Sequence, residues 1–146
     1  MKITIRKAIE ADIKKVSWLW MDMCKELHPD YTPNMEWWRI VTVNLMRNHK
    51  EYTMFVSVNE KGQIVGFIDY IVDVEASRGQ LIANGRHFYI KPEYRNTGAD
   101  LIWKKMLENL QLRKVQLIIA PCAMGQEAFW SDRGFTQSSM VMEKSL

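Results

Sequence analysis

The sequence is poor in cysteine and lacks long apolar runs. It has two cysteines in 146 residues, too few for the disulfide framework of a small secreted domain. Cys24 and Cys122 lie far apart and match no metal-ligand spacing, so we expect no metal site and two reduced, buried thiols. The longest charge-free run, residues 115–126, is well short of the ~20 apolar residues that a membrane-spanning helix needs.

The charge of the chain has no dominant sign either. Twenty basic and 17 acidic residues are spread along the sequence, with no basic run typical of a nucleic-acid tract. The first six residues lack the apolar core of a signal peptide. We therefore expect a soluble, intracellular and cytoplasmic protein that binds neither nucleic acid nor a membrane.

Two common nucleotide-binding patterns are also missing. The chain has no Gly-rich Rossmann fingerprint and no Walker loop ending in Gly-Lys-Ser/Thr, which argues against ordinary dinucleotide and triphosphate sites. With a hydrophobic content of 47%, its 146 residues suffice for one domain with a proper core. We expect a single domain over residues 1–146.

Apolar periodicity predicts alternating strands and helices. A strand over residues 2–6 precedes a long helix over 8–27, and Thr32-Pro33 is typical of the start of a second helix. The later predicted elements, in order, are a hairpin of strands 52–58 and 64–72, a looser segment 73–85, a strand 87–90, a helix 101–110, a strand 115–120 covered on both faces, a helix 124–133 followed by Gly134 as its C-cap, and a last strand 135–144.

The junction between the strand at 87–90 and the helix at 101–110 is the most informative stretch. It reads Tyr94-Arg95-Asn96-Thr97-Gly98-Ala99-Asp100. A helix N-terminus has unpaired N–H groups and a partial positive charge, so anions bind there readily. The pattern predicts a pyrophosphate cradle with one arginine and one central glycine.

This order of elements resembles the GNAT superfamily of N-acetyltransferases over essentially the whole chain. The motifs that carry the resemblance are Ile5-Arg6-Lys7-Ala8 with Asp12, Ile90-Lys91-Pro92-Glu93-Tyr94, the junction 95–100, and Ala128-Phe129-Trp130-Ser131-Asp132-Arg133-Gly134-Phe135. The resemblance implies an α/β (α+β) fold. Its central sheet would be mixed but mostly antiparallel, splayed at the middle and flanked by helices.

The resemblance also implies a function. Acetyl-CoA would be the co-substrate, and its acetyl group would pass by direct transfer to an amine of a small molecule or protein. The residues implied to bind it are Phe88, Tyr89 and Ile90 along the thioester arm, and Arg95, Asn96, Thr97, Gly98, Ala99 and Asp100 around the pyrophosphate. An N–H of the splayed strand would stabilise the oxyanion, and one such donor is worth about 2.7–4 kcal/mol.

Three residues depart from the family pattern. Asp100 stands where Gly or Ala is usual, and its carboxylate would crowd the pyrophosphate. Trp130, also implied to lie against the cofactor, replaces a tyrosine that protonates the departing thiolate; indole is no useful acid, so solvent or Ser131 would substitute. Ala123 replaces a cofactor-binding Asn. These departures keep a second interpretation open, a catalytically degenerate GNAT-fold module that binds or supports partners in a larger assembly.

The acceptor amine must lose a proton before it attacks, so a base is expected near the thioester. The first candidate is His87 on the splayed strand. Glu75 in the preceding loop is the second, and Asp69 on the hairpin is the third.

Tryptophan is unusually frequent in the first two predicted helices, which contain Trp18, Trp20, Trp37 and Trp38. In the resembled family, acceptors enter from this side. The four rings fit an aromatic wall for an apolar or cationic amine, core packing, or the contact surface of a homodimer. The sequence does not identify the acceptor.

Overall fold

The computed structural model describes residues 2–146, which form one sheet and four α-helices. The elements are β1 Thr4–Lys7, α1 Ile13–Leu27, α2 Met35–Asn48, β2 Tyr52–Val58, β3 Ile64–Glu75, β4 Gln80–Ile90, α3 Arg95–Leu112, β5 Leu117–Ile119 and α4 Glu127–Ser131. Short 3₁₀ turns at Glu10–Asp12 and Pro92–Tyr94 lead into α1 and α3. Within this described part of the chain, no helix combines the length and apolarity needed to cross a membrane.

The five strands lie in the order in which they occur along the chain. The pairs from β1 to β4 are antiparallel, and β4 pairs with β5 in parallel, so the predicted mixed and mostly antiparallel sheet is confirmed. The parallel pairing joins only residues 82–84 of β4 to residues 117–119 of β5. β5 ends at Ile119, opposite Asn84, and residues 86–90 of β4 continue without a strand partner on that side among the described residues, as the predicted splay requires.

Helices cover both faces of the sheet. On one face, α1 and α2 bury a cluster that includes Val16, Trp20 and Trp38. On the other face, α3 buries Ile102 and Met106, whose four-residue spacing places them on one side of the helix. Burial of each such large apolar side chain contributes about 1.5–3 kcal/mol, so the amphipathic patterns of α1 and α3 account for how the helices attach to the sheet.

A β-bulge in β4 changes which side chains face each layer. Asp69 of β3 lies opposite His87, but the next residue, Tyr70, lies opposite Gly85, so Arg86 is the extra residue. Successive residues of a regular strand face opposite sides of the sheet, so positions 83 and 88 would face opposite layers without the bulge. Because of the extra residue, Ala83 and Phe88 both pack on the α3 face. The bulge therefore turns His87 toward the α1–α2 layer.

Several predicted boundaries were wrong. Helix α3 starts at Arg95 rather than at residue 101, because residues 95–100 continue directly from the preceding 3₁₀ turn. Helix α2 is capped by Asn34, whose side chain accepts the Trp37 N–H at 2.9 Å, rather than by Thr32. The segment predicted as loose, 73–85, instead extends the β3–β4 hairpin on both sides of a turn at 76–79.

The C-terminal predictions also need correction. Residues 135–144 form no strand; the run from Met140 to Met142 is 74–83% exposed, and the polar stretch before it offers no alternating apolar face. Strand β5 is shorter than predicted and only partly covered. Cys24 is buried, as predicted, but Cys122 is exposed in the loop after β5. Gly134 has a φ of 83°, as its predicted place after α4 requires.

The opening motif anchors β1 to the start of α1. The Arg6 guanidinium donates to both carboxylate oxygens of Asp12, at 2.7 and 3.0 Å, and the Ile9 N–H donates to the same group at 2.8 Å. The hydrogen bonds from Arg6, followed by that from Ile9, hold the pKa of Asp12 below its ordinary value of 3.8 despite desolvation. This carboxylate therefore stabilises the fold only while it is ionised.

We expect Asp12→Asn to lower the free energy of unfolding at pH 7 by about 1–2 kcal/mol, because hydrogen bonds to a charged group are worth more than neutral ones. A lowered pKa gives stability that is present above the unfolded-state pKa and disappears as the pH falls through the folded-state pKa. The free energies of unfolding of the two proteins should therefore converge as the pH falls from above 3.8 through the lowered folded-state pKa of Asp12. Glu10→Gln removes the exposed pair with Arg47 and serves as the control with the smaller effect. A constant difference between wild type and Asp12→Asn down to acid pH would contradict this account.

Candidate active site

A cavity of about 610 Å³ lies where β4 continues past the end of β5. Its lining comes from both faces of the sheet: Trp20 and Trp38 belong to the α1–α2 layer, whereas Trp103 and Phe129 belong to the α3–α4 side. The cavity therefore passes through the gap between the strands. Gly85 and Ala120 directly follow the last paired residues of β4 and β5, a point that we call the fork. A Cβ atom on Gly85 would lie 3.3 Å from the Ala120 Cβ, so glycine permits the close approach of the two segments there.

Asp69 is the centre of a buried polar cluster beside this cavity. Its side chain is 1% exposed. The Tyr52 hydroxyl donates to its Oδ2 at 2.7 Å, the His87 Nδ1 lies 2.8 Å from its Oδ1, and the Arg86 Nε lies 3.5 Å from its Oδ2. Burial, with the neighbouring Asp69 charge, raises the pKa of Tyr52 far above its ordinary value, so this hydroxyl keeps its proton and remains a donor.

This cluster determines the proton position on His87. A carboxylate oxygen accepts hydrogen bonds, so the contact with Asp69 favours the neutral tautomer of His87 with its proton on Nδ1 and the lone pair on Nε2. The His87 side chain is 17% exposed and lines the cavity. Its ring is held by edge contacts with Trp38 and tilted packing on Phe67, with both centroids 6.0 Å away. The arrangement can accept a proton from a group bound in the cavity.

Arg95 connects α3 to α1 across the mouth of the same cavity. Its Nε donates to the Ile90 carbonyl at 2.9 Å, and its terminal nitrogen donates to the Glu26 Oε2 at 2.7 Å. The guanidinium also lies 5.4 Å from the centroid of the Tyr89 ring. The hydrogen bond from Arg95 lowers the pKa of Glu26, whereas burial raises the pKa of Tyr89. Glu26 is therefore ionised and Tyr89 neutral at pH 7.

The N-terminus of α3 lies beside this pair. Because α3 starts at Arg95, its first hydrogen bond between residues four apart runs from the Gly98 N–H to the Tyr94 carbonyl. The Arg95 N–H is already used by the Pro92 carbonyl. Asn96 and Thr97 are exposed residues of the first turn, so their N–H groups are the candidate donors for an anion at the positive end of the helix dipole.

Gly98 lies in the first turn of α3. It is buried in α3, and a Cβ there would meet the Ile90 side chain at 3.5 Å, an ordinary contact. The glycine thus faces strand β4 rather than the outside of the helix N-terminus. Its position favours close packing of α3 on the sheet.

The three departures from the family pattern have different surroundings. The Asp100 side chain is 90% exposed, lies 3.4 Å from an Arg133 nitrogen and does not line the cavity. Trp130 does line it, but its ring also packs on Trp103 and Phe135, at 6.2 and 5.0 Å. Ala123 lines the cavity from the loop after β5.

The structure brings most of the predicted site residues to this cavity. Those that line it are His87, Asp69, Phe88, Tyr89, Ile90, Arg95, Ala99 and Trp130. Asn96, Thr97, Gly98 and Asp100 lie on the adjoining part of α3 outside the lining. Glu75 lies elsewhere, at the far tip of the β3–β4 hairpin, where it contacts Ser77 and Arg78.

Three further contributors, Glu26, Arg86 and Tyr52, were not predicted. Glu26 had a usable signal: it falls three residues after Met23 on a helix whose Trp20, Met23 and Leu27 form an apolar face, so a charge there needs a partner. Arg86 becomes a neighbour of Asp69 through the bulge, and Tyr52 through the register of β2 on β3. Neither feature has a sequence signature.

A family comparison agrees with this geometry. The model of the Acetyltransferase (GNAT) family matches residues 13–135. The chain belongs to this family. The matched range contains the cavity and both motifs, those around Arg95 and around Trp130. No curated protein sequence matches the chain.

Solved structures share the fold at low sequence identity. An acetyltransferase from Trypanosoma brucei is 17% identical, with a TM-score of 0.74 over 99% of this chain and 100% of the other. Glucosamine-6-phosphate N-acetyltransferase from Arabidopsis thaliana is 13% identical, with a TM-score of 0.76 over 99% of each chain. A predicted acetyltransferase from Clostridium acetobutylicum, solved with acetyl-CoA, is 14% identical, with a TM-score of 0.80 over 99% and 96%. These likenesses confirm the GNAT fold.

Proposed function

We propose that this GNAT protein is an acetyl-CoA-dependent N-acetyltransferase that passes the acetyl group directly to an amine. The observation that supports this most strongly is the cavity that crosses the sheet between β4 and β5 beside the His87–Asp69 pair. Such a passage lets a donor and an acceptor meet from opposite faces. Holding two reactants together contributes about 7–11 kcal/mol to rate acceleration.

The residues at the passage suit acetyl-CoA. After the fork, the β5-facing edge of residues 86–90 has no strand partner among the described residues, so its backbone is available to an extended thioester arm apart from the Ile90 carbonyl, which accepts from Arg95. The N–H groups of Asn96 and Thr97, with Arg95 nearby, suit its diphosphate. When bound, acetyl-CoA would supply an acetyl group activated as a thioester.

The side chains have distinct proposed roles. His87 takes the proton of the acceptor amine at Nε2, and Asp69 holds the imidazole in that tautomer through Nδ1. Tyr52 and Arg86 hold the buried Asp69 side chain in position. The rings of Trp38 and Phe67 restrict the imidazole to one orientation. A backbone N–H of the free strand edge would stabilise developing charge on the acetyl oxygen.

A catalytically degenerate binding module is the second candidate. Trp130 favours it, because an indole packed against Trp103 and Phe135 supplies no acid for the leaving thiolate. Loss of general acid catalysis slows a reaction by about 10²–10⁴-fold and does not remove the contribution of positioning. Solvent is then the proposed proton source, since the Ser131 hydroxyl is exposed and donates to the Ala128 carbonyl.

One measurement distinguishes the acetyltransferase from the degenerate binding module. The protein is incubated with acetyl-CoA and a mixture of primary amines, and acetylated amines are detected by mass spectrometry. This readout avoids thiol reagents, which would also react with the exposed Cys122. The proposal expects enzyme-dependent acetylation of at least one amine. Binding of acetyl-CoA without any acetylated amine would favour the degenerate module.

A further inference from the structure

The α1–α2 half of the cavity, which we call the acceptor half, has aromatic walls. Trp20 and Trp38 are both buried, and their rings stack with centroids 5.3 Å apart and an interplanar angle of 18°. His28 and Tyr31, in the loop after α1, form a second ring pair with centroids 5.4 Å apart. Met23 of α1 lies between these groups in the lining. A flat apolar group would therefore meet rings on more than one side.

Every arginine that lines the acceptor half is already paired with a carboxylate. Arg86 lies 3.5 Å from Asp69, and Arg95 donates to Glu26 at 2.7 Å. Arg133 belongs to the opposite half, where its guanidinium lies 3.8 Å from the centroid of Phe129. A phosphate or carboxylate on the acceptor would therefore compete with Asp69 for Arg86 and with Glu26 for Arg95.

We infer that the acceptor is a primary amine attached through a short alkyl chain to an aromatic ring, without an acidic group. This inference rests on the proposed function and specifies its substrate class. The aromatic ring would occupy the acceptor half against Trp38, whose edge contacts His87. That contact places the amine end of such a molecule beside the imidazole. Attraction of an ammonium group toward the aromatic faces and Asp69 assists its entry.

Three matched acceptors test the inference under saturating acetyl-CoA. 2-Phenylethylamine has the ring and no acid, ethanolamine replaces the ring with a hydroxyl, and phenylalanine adds a carboxylate. We expect kcat/KM for phenylethylamine to exceed that for each of the other two by about 10- to 100-fold, because ethanolamine lacks the buried ring and the carboxylate of phenylalanine would compete with Asp69 and Glu26 for their arginines. Equal or higher values for ethanolamine or phenylalanine would overturn the inference while leaving the proposed acetyltransferase function intact.

A binding measurement separates the two proposals. Phenylethylamine is titrated into the protein without acetyl-CoA, and tryptophan fluorescence is followed. Saturable quenching is expected in wild type and in Trp37→Leu, because Trp37 is 63% exposed and lies outside the cavity. In Trp38→Leu the affinity should fall about tenfold or more. Saturable binding without acetylation of any amine would support the aromatic acceptor half and count against the proposed function.

Trp38 belongs to the core, so a second variant protects the test against misfolding. Tyr31 is 51% exposed, and its hydroxyl contacts only the Cys24 Sγ, at 3.4 Å. Tyr31→Ser should keep the wild-type circular dichroism spectrum and weaken phenylethylamine binding about three- to tenfold. Undiminished affinity in both Tyr31→Ser and a folded Trp38→Leu, or no saturable binding to wild type, would overturn the inference.

Discussion

Replacing Arg95 by glutamate should weaken acetyl-CoA binding about 100-fold or more in calorimetric titrations. In the proposed complex, the substitution changes the charge beside the Asn96 and Thr97 N–H groups from positive to negative. A hydrogen bond to a charged group is worth about 1.5–3 kcal/mol, and each 1.4 kcal/mol is tenfold in affinity. The new carboxylate would also face Glu26, which now accepts from Arg95 at 2.7 Å. Higher salt should reduce the difference, because this pair is partly exposed.

Two controls separate cofactor binding from fold stability. Lys104→Glu makes the same change of sign on an exposed position of α3 outside the cavity, and it should leave affinity nearly unchanged. The double variant Glu26→Arg with Arg95→Glu restores an ion pair between α1 and α3 while keeping an acid at position 95. We expect it to recover thermal stability but not acetyl-CoA affinity. Wild-type affinity in a folded Arg95→Glu protein would place the diphosphate elsewhere.

Replacing His87 by alanine should lower kcat by about 10²–10⁴-fold, the usual contribution of a general base. The substitution leaves a space beside Asp69, Trp38 and Phe67 that free imidazole fits. Added imidazole should therefore restore part of the lost rate in a saturable manner. The KM for acetyl-CoA should change little, since the diphosphate is proposed to bind at α3.

His49→Ala is the matched control for that experiment. His49 is exposed at the end of α2 and lies outside the cavity lining. This variant should keep the wild-type kcat and show no response to imidazole. A His87→Ala enzyme with the wild-type kcat would exclude His87 as the base. A loss of rate without imidazole rescue would indicate a structural role for the ring.

The sequence predicted the parts of this fold that depend on local patterns. The apolar stripes of α1 and α3 and the hairpin of β2 and β3 follow from periodicity and from Gly62, whose φ of 75° suits the turn. The Arg95 and Trp130 motifs, combined with the element order, indicated the family. Each of these signals comes from residues that are close together in the sequence.

The missing parts depend on contacts distant in sequence. The bulge at Arg86 is a property of how β3 and β4 pair, and it determines that both Arg86 and His87 reach Asp69. The residues whose N–H groups lie at the N-terminus of α3 depend on whether the helix starts at Arg95 or at residue 101. The helix starts at Arg95 because the preceding 3₁₀ turn continues directly into it. Residues 135–144 contain apolar side chains, but pairing requires a neighbouring strand that local sequence does not reveal.

An NMR titration of the ¹⁵N-labelled protein with acetyl-CoA tests the central claim most directly, because it reports on the backbone amides of the passage and of the α3 N-terminus. We expect saturable changes, with one-to-one stoichiometry, at the amides of Phe88, Tyr89, Ile90, Asn96 and Thr97. The amides of Thr4 and Ser57, on the distant β1–β2 pair, should stay unchanged. Unshifted amides at residues 88–90 and 96–97 in millimolar acetyl-CoA would contradict the account.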